Sequence, residues 1–190
     1  MLISISGTPA TGKTTVSRLL TKMLNANLIS ISSLVKTKKM KSYYDKKRKT
    51  KVVNEKDITK AVEKMIHANK INIVEGHAAH IIKSDKVFVL RCSPPRLVQR
   101  MKMKGWGARK IRENVHAEIL DTITVEALEA NRKSRVFEID TSNRTPRQTA
   151  SLIVKLLNNH RWQKKYLAGR IDWTEKYKKY LLPHDYYMSA

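Results

Sequence analysis

Residues 2–15 read LISISGTPATGKTT, and the order of residue types in this stretch decides the architecture. Leu2 to Ser6 suits a short buried strand, and Thr14 to Leu24 places Val16, Leu19, Leu20 and Met23 at helical spacing. Between them, Gly7 to Thr14 satisfies G-x-x-x-x-G-K-[ST] in the strand, loop, helix context that gives the pattern its meaning. Glycines leave main-chain N–H groups free to converge on phosphate oxygens, and the helix N-terminus near Lys13 adds its dipole. In such a loop Lys13 neutralises β and γ phosphate charge. The Thr14 hydroxyl completes the coordination of a Mg²⁺ ion, and Thr15 donates to the α phosphate.

Working outward, Asn27–Ile31, Ile71–Glu75, Lys86–Arg91 and Val136–Asp140 are further short apolar runs. Helical patterns separate them at Ile58–Ala68, Arg96–Lys104, Arg109–Asn131 (read as one long helix) and from Pro146 through Leu157. Parallel neighbours need crossover connections, and each helix supplies one. The expected fold class is therefore α/β, with five parallel strands covered on both faces. A length of 190 residues and a hydrophobic share of 41% suit one folded domain with small appendages and argue against a wholly disordered chain. The N-terminal apolar run is too short for a signal peptide, and no stretch reaches the length of a membrane span. A single cysteine, Cys92, excludes an internal disulfide and fits a reducing compartment, so a cytoplasmic protein without membrane association is expected.

A second chemical signal closes the third strand, where Ile71-Asn72-Ile73-Val74 runs into Glu75-Gly76-His77. An apolar strand ending in a carboxylate, lying beside the first strand, would aim Glu75 at the phosphate loop, where it holds metal-bound water or orients the attacking group. His77 would contact phosphate or relay a proton. The plainer alternatives are a Glu capping the next turn and a surface His. The segment from Arg96 to Arg112 carries seven cations and no acid, with Gly105 and Gly107 flanking Trp106 as a hinge. A closing basic segment of this kind stabilises phosphoryl-transfer charge and excludes water, although an ordinary solvated basic helix has the same composition.

The net charge of +23, from 39 Lys and Arg against 16 Asp and Glu, exceeds anything a small nucleotide requires. It is clustered: residues 36–60 contribute +8, residues 95–112 contribute +7 and residues 161–190 contribute +4. Such fields attract polyanions at long range. The last thirty residues hold seven of the aromatics, and Trp162, Tyr166, Trp173, Tyr177 and Tyr180 suit either base stacking or packing of the tail against the domain.

Taken in order, GTPATGKTT, IVEGH, VFVLRCSPPRLVQRMKMKGW, KIRENVHAEILD and FEIDTS resemble the atypical adenylate kinases, the nuclear and archaeal branch associated with small ribosomal subunit maturation. EGH and AEILD are similar to the archaeal members. The resemblance covers residues 1–157 and implies a P-loop nucleoside monophosphate kinase fold over residues 1–160, with a five-stranded parallel sheet. It also implies a monophosphate-binding region at about 30–53 and a lid at about 103–113, leaving 161–190 as a basic aromatic extension. By position, Gly7, Pro9, Ala10, Thr11, Gly12, Lys13, Thr14, Thr15 and Lys104 would bind ATP, and Thr14 and Glu75 would hold Mg²⁺. Lys13, Lys104, Glu75 and His77 would be catalytic, and Asp140-Thr141-Ser142 would lie near the adenine. Lys104 stands where family members usually carry Arg, keeping the charge without the planar fork.

The resemblance implies transfer of the ATP γ-phosphoryl group to AMP or another nucleoside monophosphate, with ATPase activity. It also implies association with a small-subunit ribosomal protein or pre-rRNA. Two other functions fit the residues: an assembly ATPase whose kinase activity is incidental, and a kinase of a polynucleotide or small-molecule hydroxyl.

Overall fold

A computed structural model of the chain describes residues 1–37, 43–45 and 50–182, with the backbone alone for 43–45 and 50–52. Its strands are β1 (Leu2–Ser6), β2 (Asn27–Ser30), β3 (Tyr43–Asp45), β4 (Thr50–Val52), β5 (Asn72–Glu75), β6 (Lys86–Arg91) and β7 (Val136–Asp140). The helices are α1 (Lys13–Leu24), α2 (Ile31–Lys36), α3 (Glu55–Glu63), α4 (Pro94–Lys102), α5 (Ala108–Ile119), α6 (Thr122–Ala130), α7 (Pro146–Asn158), α8 (His160–Gln163) and α9 (Thr174–Tyr177). Five strands form a parallel sheet in the order β2-β5-β1-β6-β7, while β3 and β4 make a separate antiparallel pair. The expected α/β class and the five parallel strands are both present, and helices flank the sheet on its two faces.

Alternation within β1 shows how the layers are held. Ile3 and Ile5 enter a cluster with Val16 and Leu20 of α1, Phe88 and Leu90 of β6, and Ile153 and Leu156 of α7. Full burial of each such aliphatic side chain contributes about 1.5–3 kcal/mol. Ser4 and Ser6 point the other way and are buried too, so each hydroxyl needs a partner: Ser4 Oγ meets Ser84 Oγ at 2.7 Å, and Ser6 Oγ donates to the His77 carbonyl at 2.9 Å. On that opposite face Ile29, Leu34, Ile58, Val62 and Val74 form a second cluster under α2 and α3.

Several boundaries differ from the sequence reading. The second strand ends at Ser30, whose hydroxyl accepts the Ser33 N–H and starts α2 at Ile31. Asn54 caps α3 through the Lys56 N–H at 2.9 Å, so that helix begins at Glu55 rather than Ile58. Pro94 and Pro95 open α4 instead of breaking the chain before it, since proline tolerates the first helical turn. The single helix expected over 109–131 is two helices. Asp121 sits between them with φ 54° because its carboxylate and the Glu118 carbonyl are both taken by the Arg91 guanidinium. The β3–β4 pair has no counterpart in the sequence reading.

Beyond α7 the chain runs back over the domain. Leu167 makes an antiparallel bridge with Phe137, and the Ala168 N–H donates to the Val136 carbonyl at 3.0 Å, covering the outer edge of β7. Trp162 and Tyr166 pack on the α1–α7 cluster, whereas Trp173, Tyr177 and Tyr180 pack on the α4–α5 cluster. Packing is therefore the arrangement of these five aromatics; Tyr186 and Tyr187 lie outside the described residues.

Candidate phosphate-binding site

The loop between β1 and α1 is shaped by two glycines in the left-handed region, Gly7 at φ 135° and Gly12 at φ 101°. A Cβ on Gly7 would sit 2.2 Å from the Leu90 carbonyl oxygen, so only glycine lets the loop leave β1 flush against β6. Gly12 has open space around it, and there the dihedral angle rather than crowding favours glycine. Pro9 and Ala10 are half-buried, and Thr11 is buried, its hydroxyl donating to the Thr8 carbonyl at 2.8 Å.

Lys13 begins α1 and folds back across the loop. Its Nζ donates to the Gly7 carbonyl at 2.7 Å and the Thr8 carbonyl at 3.0 Å, which fixes the ammonium at the loop's centre. Burial pushes its pKa down to about 8, against the attraction of Glu75 and Glu118, and the Lys104 charge adds to the depression. Thr14 and Thr15 follow, both exposed at the open side. Glu75 reaches the same place from the neighbouring strand, where Ile5 and Glu75 are paired in register. One oxygen of Glu75 accepts Thr14 Oγ1 at 3.2 Å and the other accepts Ser30 Oγ at 2.6 Å. Thr14 and Glu75 together offer hard oxygen donors suited to Mg²⁺, but too few to enclose it, so the fit requires phosphate oxygens or water as remaining ligands.

The depressed Lys13 pKa predicts how anions bind. Phosphate favours the ammonium and raises its pKa, so at pH 9 binding takes up a proton, while near pH 6 it takes up none at this group. MgATP affinity should be flat below about pH 8 and fall above it by at most about tenfold per pH unit. Calorimetry at pH 9 in two buffers of different ionisation enthalpy measures the uptake.

Of the other sequence candidates, His77 is exposed. Its carbonyl is engaged by Ser6, and its pKa is lowered by its partly enclosed setting and then by the nearby Lys13 charge. Lys104 is exposed in the turn between α4 and α5, with Nζ 6.0 Å from the centre of the Trp106 ring. Of the neighbouring cations, Arg100 is held by the Thr141 hydroxyl and carbonyl, at 3.1 and 2.7 Å. Thr141 Oγ1 is in turn 3.1 Å from the Thr11 carbonyl, which ties the 140–142 turn to the phosphate loop. Most of the 30–53 segment lies outside the described residues or is described by backbone alone.

Three neighbours escaped the sequence reading. Ser30 holds the second Glu75 oxygen. His80 is buried behind the loop, with Nδ1 2.9 Å from Ser6 Oγ and Nε2 2.9 Å from Glu126. Glu118 accepts the Thr8 hydroxyl at 2.5 Å. Each lies far along the chain from its partner; for Glu118 the available signals are its place on the apolar stripe of a largely basic helix and within the AEILD motif. Among the described residues, no helix is long and apolar enough to cross a membrane.

Residues 3–121 match a family described as an AAA domain. A protein of Methanocaldococcus jannaschii described as "Putative adenylate kinase" is 35% identical over 181 residues, covering 95% of this chain and 97% of the relative. One of the same description from Methanosarcina acetivorans is 36% identical over 186 residues, covering 92% and 98%. Among solved structures, the thymidylate kinase of Candida albicans superposes with a TM-score of 0.53 at 15% identity, over 85% of this chain and 92% of that one, a likeness of fold. With the phosphate loop, the parallel sheet and near full-length relatedness in agreement, the chain belongs to the family of these archaeal proteins described as adenylate kinases, built on a P-loop kinase fold.

Proposed function

We propose that this protein transfers the γ-phosphoryl group of MgATP to AMP or another nucleoside monophosphate. The observation that carries the reading is the convergence of Lys13, Thr14 and Glu75 on one small volume at the C-terminal ends of β1 and β5. Open α/β sheets bind ligands in that place. In the transfer, an oxygen of the acceptor phosphate attacks the γ phosphorus, its bond to the β-bridging oxygen breaks, and ADP departs.

Lys13 leaves the Gly7 and Thr8 carbonyls for the β and γ oxygens and carries the charge that builds between them. Thr14 and Glu75 would hold Mg²⁺, which would supply positive charge against the terminal phosphates. Ser30 fixes the carboxylate so that one oxygen remains turned to Thr14. Lys104, on the turn between α4 and α5, closes over the phosphates. His77 stands at the mouth, where its lowered pKa keeps it neutral near pH 7 and able to accept a proton from water when no acceptor is bound. That step is the proposed source of ATPase activity.

Chromatographic product analysis tests the assignment. ATP with AMP should yield ADP from both substrates, faster than ATP alone yields ADP and phosphate. No transfer to any of the common monophosphates would overturn it, and transfer to a polynucleotide or small-molecule hydroxyl instead would replace it.

The charge favours a second role for the same molecule. A net charge of +23, clustered partly around the site, supports association with small-subunit pre-rRNA or with a ribosomal protein bound to it.

A further inference from the structure

Arg91, at the end of β6, is 1% exposed, and Glu118 and Glu138 beside it are each 2% exposed. Arg91 Nε donates to Glu118 Oε1 at 2.8 Å, and its Nη1 and Nη2 reach Glu138 and Asp121. Glu118 extends the chain of contacts in one direction. Its Oε1 also accepts the Cys92 N–H at 2.9 Å, and its Oε2 accepts Thr8 Oγ1. Thr8 is the phosphate-loop residue whose carbonyl receives Lys13 and Thr11. Glu138 extends it in the other direction, where Oε2 accepts the main-chain N–H groups of Gly169 at 2.8 Å and Arg170 at 3.1 Å.

The same stretch of chain makes a second connection. Trp173, Tyr177 and Tyr180 stack edge-on, with centroids 5.7 and 6.1 Å apart, and lie on the cluster that also receives Ala10 of the phosphate loop and Trp106 of the α4–α5 turn. The Tyr180 carbonyl meets His116 Nε2 of α5 at 2.8 Å.

We propose that residues 159–182 are a positioning element of the phosphate site, setting the loop through the buried relay Glu138–Arg91–Glu118–Thr8. The inference deepens the kinase reading and rests on its phosphate loop. Charged hydrogen bonds between buried groups are strong and mutually reinforcing, so a shift at Gly169–Arg170 moves Glu138, and with it the guanidinium and the carboxylate that hold Thr8. Since Thr8 belongs to the phosphate loop, whose shape the relay sets, the readout is triphosphate affinity. The segment's action on the loop runs through Glu138 and is indirect.

The test is a double-mutant cycle on the full chain, pairing Thr8→Val with Glu138→Gln. It reads the Kd of a non-hydrolysable ATP analogue with Mg²⁺ by calorimetry and, separately, the melting temperature without nucleotide. Each substitution should weaken binding by about two- to thirtyfold, and the double variant should bind about as weakly as Thr8→Val alone, because the relay is already cut. Full multiplication of the two effects, or a lowered melting temperature with unchanged Kd, would overturn the proposal. Should Glu138→Gln not fold, Glu138→Asp, which keeps the charge and shortens the reach to the Gly169 N–H, takes its place in the same cycle with the same criteria. Failure of the kinase reading is seen separately, as analogue binding by the wild type without transfer to any monophosphate.

Discussion

Replacing Lys13 with alanine should leave a folded protein that transfers phosphate about 10²–10³-fold more slowly, the loss typical when one preorganised charge is removed from a transition state. The argument starts from what Lys13 does in the free protein. Its ammonium is satisfied by two loop carbonyls, yet its pKa is depressed from 10.5 to about 8, so folding disfavours the charged form. A group whose charge is disfavoured by the fold adds no electrostatic stability at neutral pH, and its removal should leave the melting temperature unchanged or slightly raised. Arginine at this position should restore little activity, because a planar fork cannot sit between the Gly7 and Thr8 carbonyls as a compact ammonium does. A coupled assay with AMP and a thermal melt decide the point; a variant of wild-type rate would remove Lys13 from the mechanism.

The second large effect concerns stability. Arg91→Met should lose about 3–5 kcal/mol at pH 7, because it strands Glu118 and Glu138 in the interior without their cation. For a domain of this size that is a fall of roughly 6–20 °C in melting temperature. The pH dependence has a definite sign. Stranded carboxylates have folded-state pKa values raised above their unfolded values, so the folded variant binds the extra protons. The deficit is then largest above those raised pKa values and shrinks as pH falls toward the unfolded value of about 4. Asp121 already shows the tendency in the intact protein, where burial raises its pKa against the pull of Arg91. Urea unfolding at pH 7 and pH 5 measures both parts; equal stability of variant and wild type at pH 7 would refute the argument.

The phosphate loop and the five strands were legible because their causes are local: a glycine pattern that shapes the backbone, and apolar runs of strand length. What was not legible depends on partners brought together from distant parts of the chain. The break at Asp121 is enforced by an arginine thirty positions earlier, and helical periodicity continues through the break without a sign of it. Glu75 was found because it ends a strand, but Ser30, which fixes its second oxygen, is a serine among several in the segment from Ser30 to Ser33. Glu118 pairs with Thr8 across 110 positions. Arg91 did leave a trace, as a charge closing an apolar strand, and a buried arginine always demands acids elsewhere. The aromatics of the last segment were open to two uses, and only the surface they lie on settles their packing.

The bridge from Leu167 to Phe137 also bears on how the molecule is made. Synthesis proceeds from the N-terminus, so β7 emerges, and the core can assemble, while the residues that shield its outer margin are still to come. For that interval the nascent sheet offers free amides and carbonyls to any passing strand. Protection against sticking to its neighbours therefore comes only after the sheet itself is made.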